Sequence, residues 1–130
     1  MSEHDPGSLK FDFLAAVRRI SAANRRNTEV SAVRRIEAQA EGARLAVELS
    51  LADSGIQKIW GFGSTFEDAL PFTLNSDIDL ALEGGSLLGL YRIAERSAFP
   101  VDLVDITSAT DAFAERVRSR GRLLFERGDG

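Results

Sequence analysis

The sequence contains no cysteine and a single histidine, His4. Disulfide bonds, thiolate catalysis and cysteine zinc sites are therefore excluded, and little imidazole chemistry is available. No apolar run approaches the ~20 residues that span a bilayer, and the polar start MSEHDPGS lacks the basic and apolar regions of a signal peptide. We therefore expect a cytoplasmic protein without membrane contact, whose chemistry rests on carboxylates, hydroxyls and backbone amides.

The chain also has no excess of positive charge, because the formal net charge is -4 at pH 7. A non-specific nucleic-acid binder normally has a basic face, so this balance argues against nucleic acid as a partner. Acids outnumber bases in residues 51–130, whereas the two are nearly balanced in residues 1–50. The second half of the chain is therefore the place to look for metal-binding carboxylates, although solvated surface acids produce a similar excess.

The first part of the chain, residues 1–54, is predicted to be a helical extension. Apolar residues recur at helical spacing from Phe13 to Ile20 and again from Val30 to Val47, with Thr28 as a cap between the two stretches. This pattern predicts a helical hairpin. Interleaved acids indicate that its arginine pairs form a solvated face rather than a phosphate-binding stripe, and a homo-oligomer contact through these helices stays open.

The second part, residues 55–130, alternates strands with helices. Short apolar runs predict strands at residues 59–62, 77–82 and 101–106, and amphipathic stretches predict helices at about residues 86–98 and 108–121. Ser108 and Asp111 resemble a capping box at the start of the last helix. The predicted fold class is therefore α/β (α+β), a mixed sheet with flanking helices that follows the N-terminal hairpin.

Three aspartates on the predicted strands are candidate metal ligands. Residues two apart in a strand point to the same face, so Asp77 and Asp79 project together. The parity of the third strand places Asp102 on that face and Asp105 on the other, unless a bulge reverses the choice. Like charges so close need cations, and magnesium suits a set of ligands that are all oxygen.

Gly63 and Ser64 form a tight turn directly after the first strand. A glycine allows the backbone to approach a ligand closely, and the hydroxyl of Ser64 lies beside backbone amides that could hold phosphate. The turn alone is a weak signal, because glycine turns are common and no Gly-Lys-Ser/Thr phosphate loop is present. Its combination with the aspartates is what points to a nucleotide.

Gly63-Ser64, Asp77-Ile78-Asp79 and Val101-Asp102-Leu103, in this order, resemble the polymerase-β-type nucleotidyltransferase superfamily, and specifically its minimal (MNT) branch. The resemblance implies a nucleotidyltransferase fold, two Mg²⁺ ions held by the three aspartates, and ATP or another nucleoside triphosphate held by Gly63, Ser64 and Thr65. Many MNT proteins are antitoxins paired with HEPN toxins, which implies a HEPN protein as the partner. Three departures stand out: Thr65 replaces an arginine that is common in the family, the gap of twelve residues from 65 to 76 is longer than usual, and the loop contains Glu67 and Asp68 where a basic contact to the triphosphate is expected.

Two functions follow from the resemblance. In the first, the protein is an enzyme whose catalytic acids Asp77, Asp79 and Asp102 support transfer of AMP from ATP to an acceptor hydroxyl, such as a tyrosine of a HEPN toxin. In the second, catalysis is lost and the domain neutralises its partner by contact alone. The altered loop after Ser64 favours the second function, and the intact trio of acids favours the first.

Overall fold

The computed structural model describes residues 6–128, with side chains for residues 13–22 and 28–128. The elements are α1 (Pro6–Ala52), β1 (Lys58–Phe62), β2 (Ile78–Glu83), α2 (Leu87–Glu95), β3 (Val101–Asp105), α3 (Asp111–Arg120) and β4 (Arg122–Glu126). The lone histidine, His4, lies outside the described residues. Within them, no helix combines the length and the apolar character needed to cross a membrane.

The first helix corrects the prediction of a hairpin. α1 runs without interruption for 47 residues, and Thr28, the predicted cap, lies inside it. Residues 9–51 contain no proline and only one glycine, Gly42, so nothing in the local sequence forces the chain to turn. A polar residue at Thr28 is too weak a signal to end a helix when good helix formers follow it.

The chain divides into two compact units, residues 1–33 and 34–130. From the sequence, the boundary between the helical extension and the nucleotidyltransferase domain is predicted between residues 54 and 55, where helical spacing gives way to the first strand. In the first unit, Phe13, Val17 and Ile20 of α1 are exposed, as are Val30 and Val33. In the second unit, residues 34–52 of the same helix contribute to the hydrophobic core with the sheet.

The buried face of α1 in the second unit is not the predicted one. The sequence favoured the stripe that continues through Ile36, Ala40 and Val47, but these residues are exposed. The face that packs into the core consists of small residues and leucines: Ala38, Leu45, Ala46 and Leu49. Because both faces contain apolar residues at helical spacing, periodicity alone could not identify the buried one.

The sheet is mixed, as predicted, with the strand order β3-β2-β1-β4. β1 pairs antiparallel with both β2 and β4, and β2 pairs parallel with β3 across the α2 connection. β4, which is not among the three strands predicted above, is an edge strand beside β1. α3 begins later than predicted, because Thr110 rather than Ser108 is the N-cap, and its side chain accepts a hydrogen bond from the amide of Phe113.

Hydrophobic clusters cover both faces of the sheet. One cluster joins Ile78, Leu80 and Leu82 of β2 to α1 and α2. The second cluster joins Ala81 of β2 to Ala114 and Val117 of α3. Asp79 and Glu83 have the same strand parity as Ala81, so these two acids lie on the α3 face, four residues apart on one strand.

Candidate metal and nucleotide site

Three carboxylates converge at one edge of the sheet. Asp77 directly precedes β2, Asp79 is its second residue, and Asp102 is the second residue of β3. The parallel register pairs Asp79 with Asp102, so both side chains project from the same face. One carboxylate oxygen from each of Asp77, Asp79 and Asp102 lies within 4.8 Å of the others. The structure thus brings together the three acids chosen from the sequence, and their roles as catalytic residues and metal ligands stay predictions.

The electrostatics at Asp79 show that negative charge is uncompensated there. Burial, as the largest cause, and the neighbouring acids Asp102, Asp77 and Glu67 together raise the pKa of Asp79 to about 6. A divalent cation at this place would offset both causes of the raised pKa. It would ligate the partly buried carboxylate and neutralise the negative charge of the neighbouring acids. The donor set, the spacing and the charge therefore all fit magnesium.

The Gly63 turn lies against this acidic group. It follows β1 directly, and Gly63 has φ of 71°, in the left-handed region that favours glycine. A Cβ at Gly63 would overlap the carboxylate of Asp79, so a larger residue would collide with the candidate metal ligand. The carbonyl of Gly63 accepts hydrogen bonds from the amides of Phe66 (3.1 Å) and Glu67 (2.9 Å), which closes the turn.

Two hydroxyls connect the turn to the segment that carries the first aspartate. Oγ1 of Thr65 donates to the carbonyl oxygen of Asp77 at 2.7 Å, and Oγ of Ser64 donates to Oγ of Ser76 at 2.9 Å. Thr65 is fully buried, its backbone included, so its predicted contact with a nucleotide would require the turn to move. The predicted nucleotide contacts of Gly63, Ser64 and Thr65 stay predictions, and the structure adds that the two hydroxyls fix the position of the acids.

Two polar side chains of α1 hold the turn from behind. Nη2 of Arg35 donates to the carbonyl oxygen of Glu67 at 2.6 Å, and Nε2 of Gln39 donates to that of Thr65 at 2.8 Å. The sequence assigned Arg35 to a solvated face, which is wrong for this residue. No local pattern could have shown the contact, because it joins positions about 30 residues apart.

Glu67 occupies a position that the sequence did not reveal. Its side chain is 6% exposed, and its Oε2 accepts a hydrogen bond from the amide of Gly63 at 2.6 Å. Its Oε1 forms an ion pair with Nη2 of Arg116 on α3 at 3.1 Å. From the sequence, Glu67 was only an acid where a basic residue was expected. In the structure it is a buried anion bound to the turn.

Asp105, the alternative third acid, has a structural environment. It is the last residue of β3, and its carboxylate accepts hydrogen bonds from Thr107 and Ser108. The side chain of Thr107 is the main cause that lowers the pKa of Asp105, which burial opposes. Its own chain therefore satisfies this carboxylate, in contrast to those of the acidic trio.

Comparisons with known proteins find relatives among solved structures. No family model and no curated protein sequence matches the chain. A chain of a crystal structure described as a toxin-antitoxin with AMP-PNP has a TM-score of 0.54 and 26% identity, over 65% of this chain and 73% of that one. A chain of a mutant of the toxin-antitoxin MntA-HepT has a TM-score of 0.52 and 24% identity over the same shares. These neighbours confirm the predicted α+β fold, and their description as toxin-antitoxin complexes agrees with the predicted resemblance to MNT proteins.

Proposed function

We propose that this protein is a metal-dependent nucleotidyltransferase that acts as an antitoxin in the cytoplasm, by transferring AMP from ATP to a hydroxyl of a HEPN toxin. The observation that carries the proposal is the convergence of Asp77, Asp79 and Asp102 within 4.8 Å beside the Gly63 turn. The toxin-antitoxin neighbour with AMP-PNP supports both the nucleotide and the type of partner. A tyrosine is the acceptor that the family resemblance suggests.

The three carboxylates offer the oxygen ligands that magnesium prefers, and two ions are what the family resemblance implies. Asp77 and Asp79 are half-buried, Asp102 is exposed, and one oxygen from each could ligate a metal ion. When bound, Mg²⁺ would neutralise charge on the triphosphate and lower the pKa of the acceptor hydroxyl. The carboxylates supply the negative charge that would hold such ions, and in this proposal the Gly63 turn would hold the outer phosphates.

The reaction exchanges one phosphorus–oxygen bond for another. The acceptor oxygen bonds to the α-phosphorus of ATP, the bond from that phosphorus to the α,β-bridging oxygen breaks, and pyrophosphate leaves with the bonding electrons. The acceptor proton must be removed as the new bond forms. Asp102 is the trio member exposed to solvent, which supports the proposal that it accepts this proton and passes it to water.

A second function is favoured by one observation. The carboxylate of Glu67 accepts the hydrogen bond of the Gly63 amide. In a catalytic site of this type, we expect that amide to be available to phosphate. A protein that neutralises a toxin by contact alone would tolerate this arrangement. The two functions differ in one product: only the enzyme leaves covalently attached AMP on the toxin, which mass spectrometry of the mixed proteins detects.

Calorimetry with ATP at millimolar magnesium tests the proposed site. We expect an Asp77→Asn, Asp79→Asn double variant to lose most of the ATP affinity, because the clustered acids and the triphosphate share the metal. Glu126→Gln is the matched control, since Glu126 is an exposed acid on β4 that pairs only with Lys58 among the described residues. Unchanged ATP affinity in the double variant would show that the metal-bridged site is wrong.

A further inference from the structure

The turn after β1 already binds an anion that belongs to this chain. The amide of Gly63 donates to Oε2 of Glu67 at 2.6 Å, and the turn places Gly63 at a positive φ. Backbone amides in turns of this kind attract anions, including phosphate, because their N–H dipoles point outward into a small concave space. The bound carboxylate shows that this turn has that property.

Glu67 is built into this position and is not a mobile surface side chain. Its side chain is 6% exposed, whereas that of the adjacent Asp68 is 92% exposed. Arg116 pairs with the second carboxylate oxygen of Glu67 at 3.1 Å, and Arg35 holds its backbone carbonyl at 2.6 Å. The carboxylate is therefore enclosed, charge-paired and bound to the amide at the same time.

A triphosphate at this turn would meet Glu67 as a competitor. The outer phosphates and the Glu67 carboxylate need the same amide, and two anions at hydrogen-bonding distance from one donor repel each other strongly in a partly buried site. The positive charge of Arg116 could offset this repulsion, but its guanidinium is already paired with Glu67. If the carboxylate swings away, both the Gly63 amide and the Arg116 guanidinium become available to phosphate.

We propose that Glu67 sets the nucleotide affinity of this site by occupying the phosphate position of the Gly63 turn, and that triphosphate binds when Glu67 leaves and releases Arg116 to the phosphate. This inference rests on the proposed function and adds a competing group within the chain. The observed affinity is then the affinity of the open turn reduced by the fraction of molecules in which Glu67 has left it.

The test compares two substitutions that remove the same charge from the same loop. Glu67→Gln keeps an acceptor for the Gly63 amide but removes the anion, and Asp68→Asn is the matched control on an exposed neighbour. Titration with Mg²⁺-ATP by calorimetry is expected to show binding about tenfold or more tighter for Glu67→Gln, and a change below about threefold for Asp68→Asn, whose charge is screened by solvent. Equal effects of the two substitutions would overturn the inference.

Arg116 gives a second arm. In the Glu67→Gln background, Arg116→Gln is expected to cancel most of the gain in affinity, because the released guanidinium is what contacts the phosphate. If the double variant keeps the full gain, the release of Arg116 is wrong. Should Glu67→Gln fail to fold, a crystal structure of the wild-type protein with Mg²⁺ and AMP-PNP decides: Glu67 is expected to be out of hydrogen-bonding range of the Gly63 amide, and an intact contact beside bound phosphate overturns the inference.

Inorganic tripolyphosphate separates this inference from the proposed function. It has the outer phosphates without a nucleoside, so tighter tripolyphosphate binding by Glu67→Gln, but not by Asp68→Asn, supports the competition even if ATP is not the substrate. The proposed function fails separately, when Asp77→Asn, Asp79→Asn leaves Mg²⁺-ATP binding unchanged. If Glu67→Gln tightens neither probe, the inference fails whatever the trio does.

Discussion

Asp79 and Glu83 lie on the same strand, on the same face of the sheet and four residues apart, yet their surroundings are opposite. At the Glu83 end, Nε1 of Trp60 donates to the carboxylate at 2.6 Å and Nη2 of Arg118 donates at 3.0 Å. At the Asp79 end, the neighbours that act on the carboxylate are further acids, Asp102, Asp77 and Glu67. Hydrogen-bond donors therefore contact the acid at the Glu83 end of β2, whereas other acids lie near the acid at the Asp79 end.

The pKa values express this difference. Burial acts to raise the pKa of Glu83, but hydrogen bonds from Arg118 and Trp60 outweigh it and lower the pKa. Burial raises the pKa of Asp79 as well, and its acidic neighbours add to that effect instead of opposing it, so the value reaches about 6. The comparison separates a carboxylate that hydrogen bonds within the chain stabilise from one whose neighbours in the described part of the chain disfavour its charged form.

The largest expected effect contrasts Asp102 with Asp105, the two acids of β3. If Asp102 receives the acceptor proton, Asp102→Asn should lower the rate of AMP transfer by about a hundredfold or more while ATP binding changes far less. Asp105→Asn should transfer AMP at nearly the wild-type rate, since Thr107 and Ser108 already satisfy that carboxylate. Single-turnover transfer of labelled AMP to a HEPN partner at saturating ATP gives the rates.

The opposite pattern would identify a wrong assignment. A normal rate for Asp102→Asn together with a slow Asp105→Asn would move the reactive acid to the other parity of β3. Absence of transfer by the wild type to any HEPN partner would favour neutralisation by contact. A melting curve of each variant shows whether a slow rate reflects unfolding.

The second effect concerns stability and should have opposite signs at the two ends of β2. Glu83→Ala leaves the Trp60 N–H without its acceptor, so we expect the free energy of unfolding to fall by about 2 kcal/mol. The double variant Asp77→Asn, Asp79→Asn should keep or raise the free energy of unfolding in chelator. It removes repulsion between carboxylates that have no cationic partner among the described residues. Urea denaturation measures both.

Glu126→Ala is the control for the stability comparison. Glu126 pairs with Lys58 at 3.3 Å on the exposed edge of the sheet, and such a pair contributes under about 1 kcal/mol. A large loss of stability in the Asp77, Asp79 double variant would mean that these acids are structural, which would remove the contrast with Glu83.

The sequence could predict the acidic site because a strand imposes a simple rule. Alternation by two places Asp77 and Asp79 together, and the same rule selects Asp102 over Asp105 once β2 and β3 are neighbours. The register that pairs Asp79 with Asp102 bears out that parity argument. The positive φ of Gly63 likewise agrees with a glycine at a tight turn.

Other features could not be predicted because they depend on contacts between distant residues. Glu67 meets Arg116 across 49 positions, and neither residue has a local pattern that announces the pair. The pairing of β4 with β1 is equally non-local. In α1, apolar residues lie on two faces, and only packing against the sheet determines that Leu45 is buried while Val47 is exposed.

The smallest expected effect is a pH dependence that the two ends of β2 should show with opposite sign. The raised pKa of Asp79, about 6 against an ordinary value of 3.8, means that the folded state binds the proton more tightly than the unfolded state. Between these two values, the contribution of Asp79 to stability in chelator therefore falls as pH rises. Glu83, whose pKa is lowered, contributes stability that is lost as pH falls.

Asp79→Asn should thus become more stable than wild type by about 1 kcal/mol as pH rises from 4 to 7, after allowance for partial exposure. Thermal melts of both proteins at each pH measure this difference, and the double variant Asp79→Asn, Glu83→Gln checks that the two contributions are independent. If the stability difference between Asp79→Asn and wild type is constant from pH 4 to 7, Asp79 is not the uncompensated acid of the site. Saturating Mg²⁺ should reverse the sign of this stability difference above pH 6, because the metal stabilises only the protein that keeps its ligand.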